Sequence, residues 1–339
     1  MTDASRGDTL MRAAVITRPG GPEVLEIQDR PIPTAGANEV LVRVHASALN
    51  RADLSQREGH YPAPPGAPQD IPGLEFAGEV VDSAAGVSWK AGDRVFGVVA
   101  GGGNAEYLVT DADCVARVPD GMAWTEAAAV PEAFITAHDA LVVQASLHAN
   151  EYVLIHAVGS GVGLAATQIA RAFGAIPFGT ARTPEKVERA LSHGLAKGLV
   201  IADDPGAIAT AFNEDTSGNG IDVTLDLVGG AYLGPSIQAA AKRGRIMCVG
   251  TVAGRSSTIP VNLVLHKRLT IRGTVLRARS VEEKRAATAA FARDLLPLFT
   301  TKQLTPVVDR VYDLDEVASA HERLASNATF GKVVLAMKS

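Results

Sequence analysis

Gly159, Ser160, Gly161, Val162 and Gly163 form a run of small residues between two patterned stretches. Before it lies a short apolar run, Tyr152, Val153, Leu154 and Ile155. After it, Leu164, Ala165, Ile169, Ala170 and Phe173 recur at helical spacing, and Gly174 stands where a helix would stop. A strand that feeds a helix through small residues leaves backbone N–H groups pointing outward. The helix N-terminus adds partial positive charge, so a diphosphate can dock there without steric conflict. The spacing departs from G-x-G-x-x-G, because Val158 and Ser160 hold its first two glycine positions. An ordinary tight turn has the same makeup. The strand before, the helix after and further strand–helix units downstream favour a dinucleotide site.

A second candidate follows the next apolar run: Gly179-Thr180-Ala181-Arg182-Thr183-Pro184-Glu185-Lys186. Dinucleotide folds often place an acid here, bonded to the adenosine ribose hydroxyls. This chain has none. It offers the Thr180 hydroxyl, the Arg182 guanidinium and the Lys186 ammonium, which suit a 2′-phosphate and hence NADP(H) over NAD(H). Solvated residues at a helix start would read the same way.

The elements that must position these groups form three textures. The first ~130 residues read as mostly β, with a two-residue period over 12–17 and 40–47 and punctuation by Pro31, Pro33, Gly92 and Gly102. After Pro131, strands expected near Tyr152, Ile176, Leu199, Ile221, Arg245 and Thr270 alternate with helical patterns, which predicts a doubly wound parallel sheet. Thr183 caps the helix opening at Pro184, and Gly194 lies beyond its end. Ser280 and Glu283 form a capping box for a long helix toward Phe299. A short strand (307–311), a helix (315–326) and a final strand (332–337) then return to pack on the N-terminal region. The expected division is an extension over 1–10, a catalytic part over 11–132 and 275–339, and a nucleotide-binding part over 133–274.

With 339 residues, 47% hydrophobic and 20% charged, the chain can bury two substantial cores. A net charge of −5 without basic runs speaks against nucleic acid, and no apolar stretch is long enough to span a membrane. Residues 1–10 are polar and read as a mobile extension rather than a signal peptide. Cys114 and Cys248 are the only cysteines, which excludes a disulfide framework and fits a reducing cytoplasm.

Asn50-Arg51-Ala52-Asp53, Pro72-Gly73-Leu74-Glu75, Gly92-Asp93-Arg94-Val95, Val130-Pro131-Glu132-Ala133, Ser160-Gly161-Val162-Gly163, Leu276-Arg277-Ala278-Arg279 and Gly331-Lys332 resemble the medium-chain dehydrogenase/reductase superfamily. The likeness is to its zinc-free quinone oxidoreductases, and it covers Met11 to the C-terminus. It implies a Rossmann sheet inserted into a mostly β, GroES-like domain built from both chain ends. Zinc alcohol dehydrogenases of the superfamily bind their metal with Cys, His and Cys. The matching positions here are Asn50, Leu74 and Glu132, a set that cannot make a tetrahedral N/S zinc site. His45, Asp53, His60 and Glu75 are the remaining ligand types nearby.

Without a Lewis acid, alcohol oxidation is hard, whereas a quinone or enone spreads incoming charge over its own π-system. The resemblance therefore implies NADPH-dependent quinone reduction. Reduction of the C=C bond of enals or enones is the alternative, and a nucleotide-binding redox sensor with little turnover is the reading from another class. Asn50 and Tyr61 are the candidate polar groups beside the acceptor, Tyr61 in a loop with Pro62, Pro64 and Pro65; a tyrosine packed on surface prolines would look alike. Thr136 matches a cofactor-contacting threonine, or is a back-bonded helix threonine. Lys186 matches a 2′-phosphate lysine, and Val228, Gly250, Leu276, Arg277, Arg279, Asn327 and Lys332 fall in segments that line the cofactor cleft. Ile201 and Ser55 depart from the tyrosines of relatives, and Arg182 compensates for the first. The resemblance also implies a homodimer joined through sheet edges near residues 261–273.

Overall fold

Val40, Val42 and Val44 alternate with Leu41, Arg43 and His45, and in a computed structural model of the chain these three valines are buried in one long strand. The structure describes residues 10–202 and 204–338. They divide into two units: residues up to Glu132 with 277–296 and those from Pro306 onward, and residues 133–276 with 297–305.

The first unit is built of strands β1 (Leu10–Ile16), β2 (Leu25–Pro31), β3 (Glu39–Ala48), β4 (Glu75–Ser83), β5 (Arg94–Val98), β6 (Tyr107–Asp111) and β7 (Val115–Arg117), with short helices α1 (Arg51–Arg57) and α2 (Trp124–Ala127). β1 and β2 form an antiparallel hairpin. The larger sheet runs β14-β15-β3-β4-β5-β7, with β6 also on β3. Its outer strands, β14 (Val308–Asp313) and β15 (Lys332–Ala336), come from the C-terminal end of the chain. β15 lies antiparallel to β3, with Leu335 opposite Ser47. Helix α10 (Val317–Ala325) presents Val317, Ala320 and Leu324 at helical spacing to Leu314, Val333 and Leu335, burying one apolar stripe. A second core gathers Val40, Val42, Val44, Phe76, Val80, Val95 and Leu108.

The second unit carries six parallel strands: β8 (Tyr152–Ile155), β9 (Ile176–Ala181), β10 (Lys197–Val200), β11 (Ile221–Asp226), β12 (Ala240–Cys248) and β13 (Thr270–Gly273). Their order is β10-β9-β8-β11-β12-β13, so the winding reverses between β8 and β11. A crevice opens beyond the strand ends at such a switch point. Helices α4 (Gly161–Ala172), α5 (Pro184–Ser192), α6 (Ile208–Ala211), α7 (Leu233–Ala239) and α8 (Val261–Lys267) connect the strands. Phe178 stacks between Tyr152 and Phe212 in its core. Helix α3 (Pro131–His138) carries the chain from the first unit into the second, and α9 (Val281–Thr300) carries it across again. The predicted capping box at Ser280 and Glu283 forms at the start of α9. No helix among the described residues is long and apolar enough to cross a membrane.

Three boundaries differ from those expected. The extension expected over 1–10 lies outside the described residues except for Leu10, which already pairs with Pro31 and begins β1. The glycine run is not all turn: Ser160 caps α4, so Gly161, Val162 and Gly163 form its first turn. Residues 297–305 group with the second unit instead of the tail. Phe299 packs edge-on against Phe134, and Gln168 bonds both the N–H and the carbonyl of Thr305.

Candidate active site

After β8 the chain turns through Ala157, whose φ of 53° is left-handed, and reaches Ser160. The Ser160 hydroxyl accepts the Gly163 N–H at 3.1 Å. Gly163 is needed for close packing, because a Cβ there would run into the Ala157 carbonyl. The Gly161 and Val162 N–H groups stand at the first two helical positions, where no intrahelical acceptor exists, and no other backbone carbonyl receives them among the described residues. These are the donors an anion at this helix start would meet.

Thr136 lies on α3. Its Oγ1 is buried and has no hydrogen-bond partner, so it does not back-bond to its own helix. A buried hydroxyl left without a partner is costly unless a ligand completes it.

At the end of β9, Arg182 is exposed and Lys186 half-buried. Glu185 pairs with Arg189 at 3.5 Å. Thr180 separates from them: it is buried, with its hydroxyl 3.0 Å from His156 Nδ1. His156 Nε2 meets Ser236 Oγ at 2.9 Å, and Ser236 donates to the Tyr232 carbonyl. This chain of bonds fits a neutral imidazole, and burial lowers the His156 pKa against the opposing pull of Asp226. Asp226 holds the next loop by accepting the Val228 and Gly229 N–H groups, while its second oxygen is buried without a partner. Gly250 must be glycine, since a Cβ would meet the Leu227 carbonyl. Leu276 is buried at the end of this unit.

The first unit gathers a different constellation. Lys332 on β15 is buried and spends its ammonium on Glu75 Oε1, the Leu49 carbonyl and Asn50 Oδ1, each at 2.7 Å. Asn50 Nδ2 donates to the same Glu75 oxygen at 2.9 Å and to the Ala48 carbonyl. Glu75 Oε2 accepts the Glu132 N–H at 2.8 Å. Asp53 accepts N–H groups from Asn50 and Gly73, yet burial pushes its pKa up to about 6. Burial and the Glu75 charge push Glu132 up to about 8. The Glu132 carboxyl forms no ion pair or hydrogen bond with the described residues, and the residue is partly exposed.

Arg277, expected along the cofactor, is buried within this unit. Its guanidinium donates to the Ala100 carbonyl, the Tyr61 carbonyl and Gln56 Oε1, and lies 5.1 Å from the Tyr61 ring centroid. It thereby anchors the loop that carries Tyr61. Tyr61 is half-buried, and desolvation raises its phenol above the ordinary value. Arg279 is partly exposed before α9, and Asn327 takes a left-handed φ of 59° after α10. The structure thus brings Asn50 and Lys332 together, sets Tyr61 with Arg277, and collects the glycine turn, Thr136, Thr180, Arg182, Lys186, Val228, Gly250 and Leu276 in the other unit.

Residues 36–120 match the alcohol dehydrogenase GroES-like domain family, and residues 161–293 the zinc-binding dehydrogenase family. Over 335 residues the chain is 34% identical to a quinone oxidoreductase of Sus scrofa, covering 97% of this chain and 98% of that protein. The chain belongs to the quinone oxidoreductase family of the medium-chain dehydrogenase/reductases. A mycobacterial protein solved in complex with NADPH superposes with a TM-score of 0.85 at 28% identity, covering 96% of this chain and 100% of that one. CurK enoyl reductase superposes at 0.84 with 27% identity, covering 97% of this chain and 99% of that chain.

Within this quinone oxidoreductase scaffold, the zinc-matching positions do not fit zinc. Asn50 is an amide bonded to an ammonium, Leu74 is a buried alkyl chain, and Glu132 is one carboxyl. Zinc in this superfamily needs soft or imidazole donors, and Lys332 already places a cation against Asn50 and Glu75. Among the described residues, no three or more His, Cys, Asp or Glu side chains are grouped to hold an ion. Sequence reading missed the Thr180–His156–Ser236 chain and Asp226. Their only local signal is a polar residue at the end of an apolar strand, as in His156 after Ile155 and Asp226 after Leu225.

Proposed function

We propose that the chain catalyses NADPH-dependent reduction of quinones by direct hydride transfer without a metal. The observation that carries the reading is Lys332, which locks Asn50 and Glu75 where the resemblance would place a metal site. With no Lewis acid to stabilise an alkoxide, an acceptor that delocalises its own charge is favoured. When bound, the reduced nicotinamide supplies the hydride. The second unit's part is to hold the dinucleotide: Gly161 and Val162 N–H groups toward the diphosphate, Thr136 toward a polar group of the cofactor, Arg182 and Lys186 toward the 2′-phosphate. The first unit's part is to orient the acceptor. Tyr61 is held for that task by Arg277, while Asn50, with its amide engaged, fixes the surrounding cluster.

Reduction of conjugated C=C bonds is a second reading, favoured by the Glu132 carboxyl, which remains protonated near neutral pH. The likeness to an enoyl reductase supports it. Two chains joining along β13 are also proposed, since Val261 and Leu265 beside that edge are 58% and 70% exposed. The free thiols Cys114 and Cys248 suit a reducing cytoplasm.

An acceptor screen that follows NADPH oxidation, with and without chelator, tests the reading. Quinone turnover that survives chelation is the expected result. Turnover that vanishes with chelator and returns with zinc would refute it, as would dependence on NADH alone.

A further inference from the structure

We propose that Glu132 is the proton donor that completes reduction of a conjugated C=C acceptor, which makes α,β-unsaturated carbonyl compounds substrates of this chain. This rests on the reductase reading above.

Three features of the first unit point to Glu132. Its carboxyl engages none of the described residues in a hydrogen bond or ion pair, unlike Asp53 and Glu75, whose oxygens are taken by Asn50, Gly73, Lys332 and the Glu132 backbone. The residue is partly exposed. Its backbone is fixed at the first turn of α3 by the Glu75 carboxylate, which limits where the side chain can swing. The neighbours that bear on its charge are Glu75 from β4, Asp53 from α1, Lys332 from β15, Arg277 before α9, Tyr61 from the loop after α1 and Lys284 on α9. The two carboxylates and desolvation outweigh the cations, so the acid is protonated below about 8 and titrates close to working pH. That is where a general acid is most effective. Tyr61, the other candidate, is a weaker acid still, because burial raises its phenol.

The step balances as follows. With NADPH bound, its C4–H bond would break with the electron pair passing to Cβ and leave NADP+, while the π pair of the C=C bond would move onto the carbonyl as an enolate. Cα then takes the proton of the Glu132 carboxyl, whose O–H bonding pair stays behind as carboxylate. The carboxylate is reprotonated from water. A quinone needs this less, since its reduced oxygens can take protons from solvent directly.

The test compares wild type, Glu132→Gln and Glu132→Asp with crotonaldehyde and benzoquinone, together with NADPH affinity and infrared spectra of the free protein. Wild-type kcat on crotonaldehyde is expected to fall about tenfold per pH unit above about 8. Glu132→Gln should lose about 100-fold or more on crotonaldehyde and become insensitive to pH there, while benzoquinone reduction drops less than about 10-fold and NADPH affinity holds within about 2-fold. The infrared band of a protonated carboxyl, present at neutral pH in wild type, should vanish in Glu132→Gln. If that variant does not fold, Glu132→Asp keeps the test alive: it should retain a pH-dependent rate reduced about 10-fold on crotonaldehyde alone. Equal losses on both acceptors, an unchanged crotonaldehyde rate, or a neutral-pH spectrum without the band would overturn the proposal. Absence of turnover by wild type on both acceptors would overturn the reductase reading itself, whatever the infrared band shows.

Discussion

In the first unit, Lys332, Asn50 and Glu75 spend their donors and acceptors on one another; in the second, Thr136, Gly161 and Val162 hold theirs in reserve. The contrast separates two jobs that polar side chains do. A buried charge must be paired or it destabilises the fold, so the Lys332 cluster is closed and rigid. A binding surface must keep hydrogen-bonding capacity for a ligand, and an orphaned hydroxyl or helix-start N–H is how that capacity looks without one. Resemblance alone assigns Lys332 and Arg277 to the same role as Arg182. Their hydrogen bonds also tie both into the first unit.

Breaking the closed cluster should have the largest effect. Lys332→Met leaves the Glu75 carboxylate buried beside an amide and one N–H, without its cation. The expected loss is about 3–5 kcal/mol of stability in urea unfolding. Adding Glu75→Gln removes the uncompensated charge while keeping an acceptor for the Glu132 N–H, and should restore more than half of the loss. A single variant less than about 1 kcal/mol below wild type would mean that water already reaches the pair.

Changing the residues proposed to hold the 2′-phosphate should instead alter cofactor binding and leave the fold alone. Arg182→Ala with Lys186→Ala is expected to erase most of the preference for NADPH over NADH, an effect of about 1–2 kcal/mol, or about 5–30-fold in Kd. The lower end of the usual range applies because Arg182 is exposed and its contact would be screened. Calorimetric titration of both cofactors measures it. Equal Kd values in the unmodified protein would sink the assignment of this pair.

The local capping chemistry of the second unit was largely legible in the sequence and the closed cluster of the first was not. Ser160, Gly163 and Gly174 act within a few residues of themselves, as cap, close-packing glycine and helix stop, and so does Thr183, which accepts the Lys186 N–H. Chemistry with that range leaves a readable spacing. Lys332 meets Glu75 and Asn50 only because β15 is laid against β3 and β3 against β4, and Arg277 reaches Gln56, Tyr61 and Ala100 across similar chain distances. No window of sequence holds such a pairing. Thr180 shows the limit even of local reading: it stands in the predicted stretch, but strand β9 turns its hydroxyl inward to His156. Arg182 lies past the end of β9, which stops at Ala181, and that Thr180 falls beside His156 follows from the register of β9 on β8, which no local window shows.

The smallest effect expected is also the one with two signs. Thr136→Val keeps the shape and the β-branching of the side chain, so helix α3 should tolerate it. In the free protein the substitution removes a buried hydroxyl that has no partner, and stability should rise by up to about 1 kcal/mol. In the presence of NADPH the same hydroxyl is proposed to complete a hydrogen bond, and its loss should weaken binding by about 1 kcal/mol, roughly 5-fold. Thermal unfolding without cofactor and titration with it read the two terms separately. A structural threonine would move only the first, and in the opposite direction, because a satisfied hydroxyl stabilises the fold it sits in. A variant that is less stable and binds NADPH as before would therefore move Thr136 from the open set to the closed one, and with it the distinction between the two units would lose its clearest member.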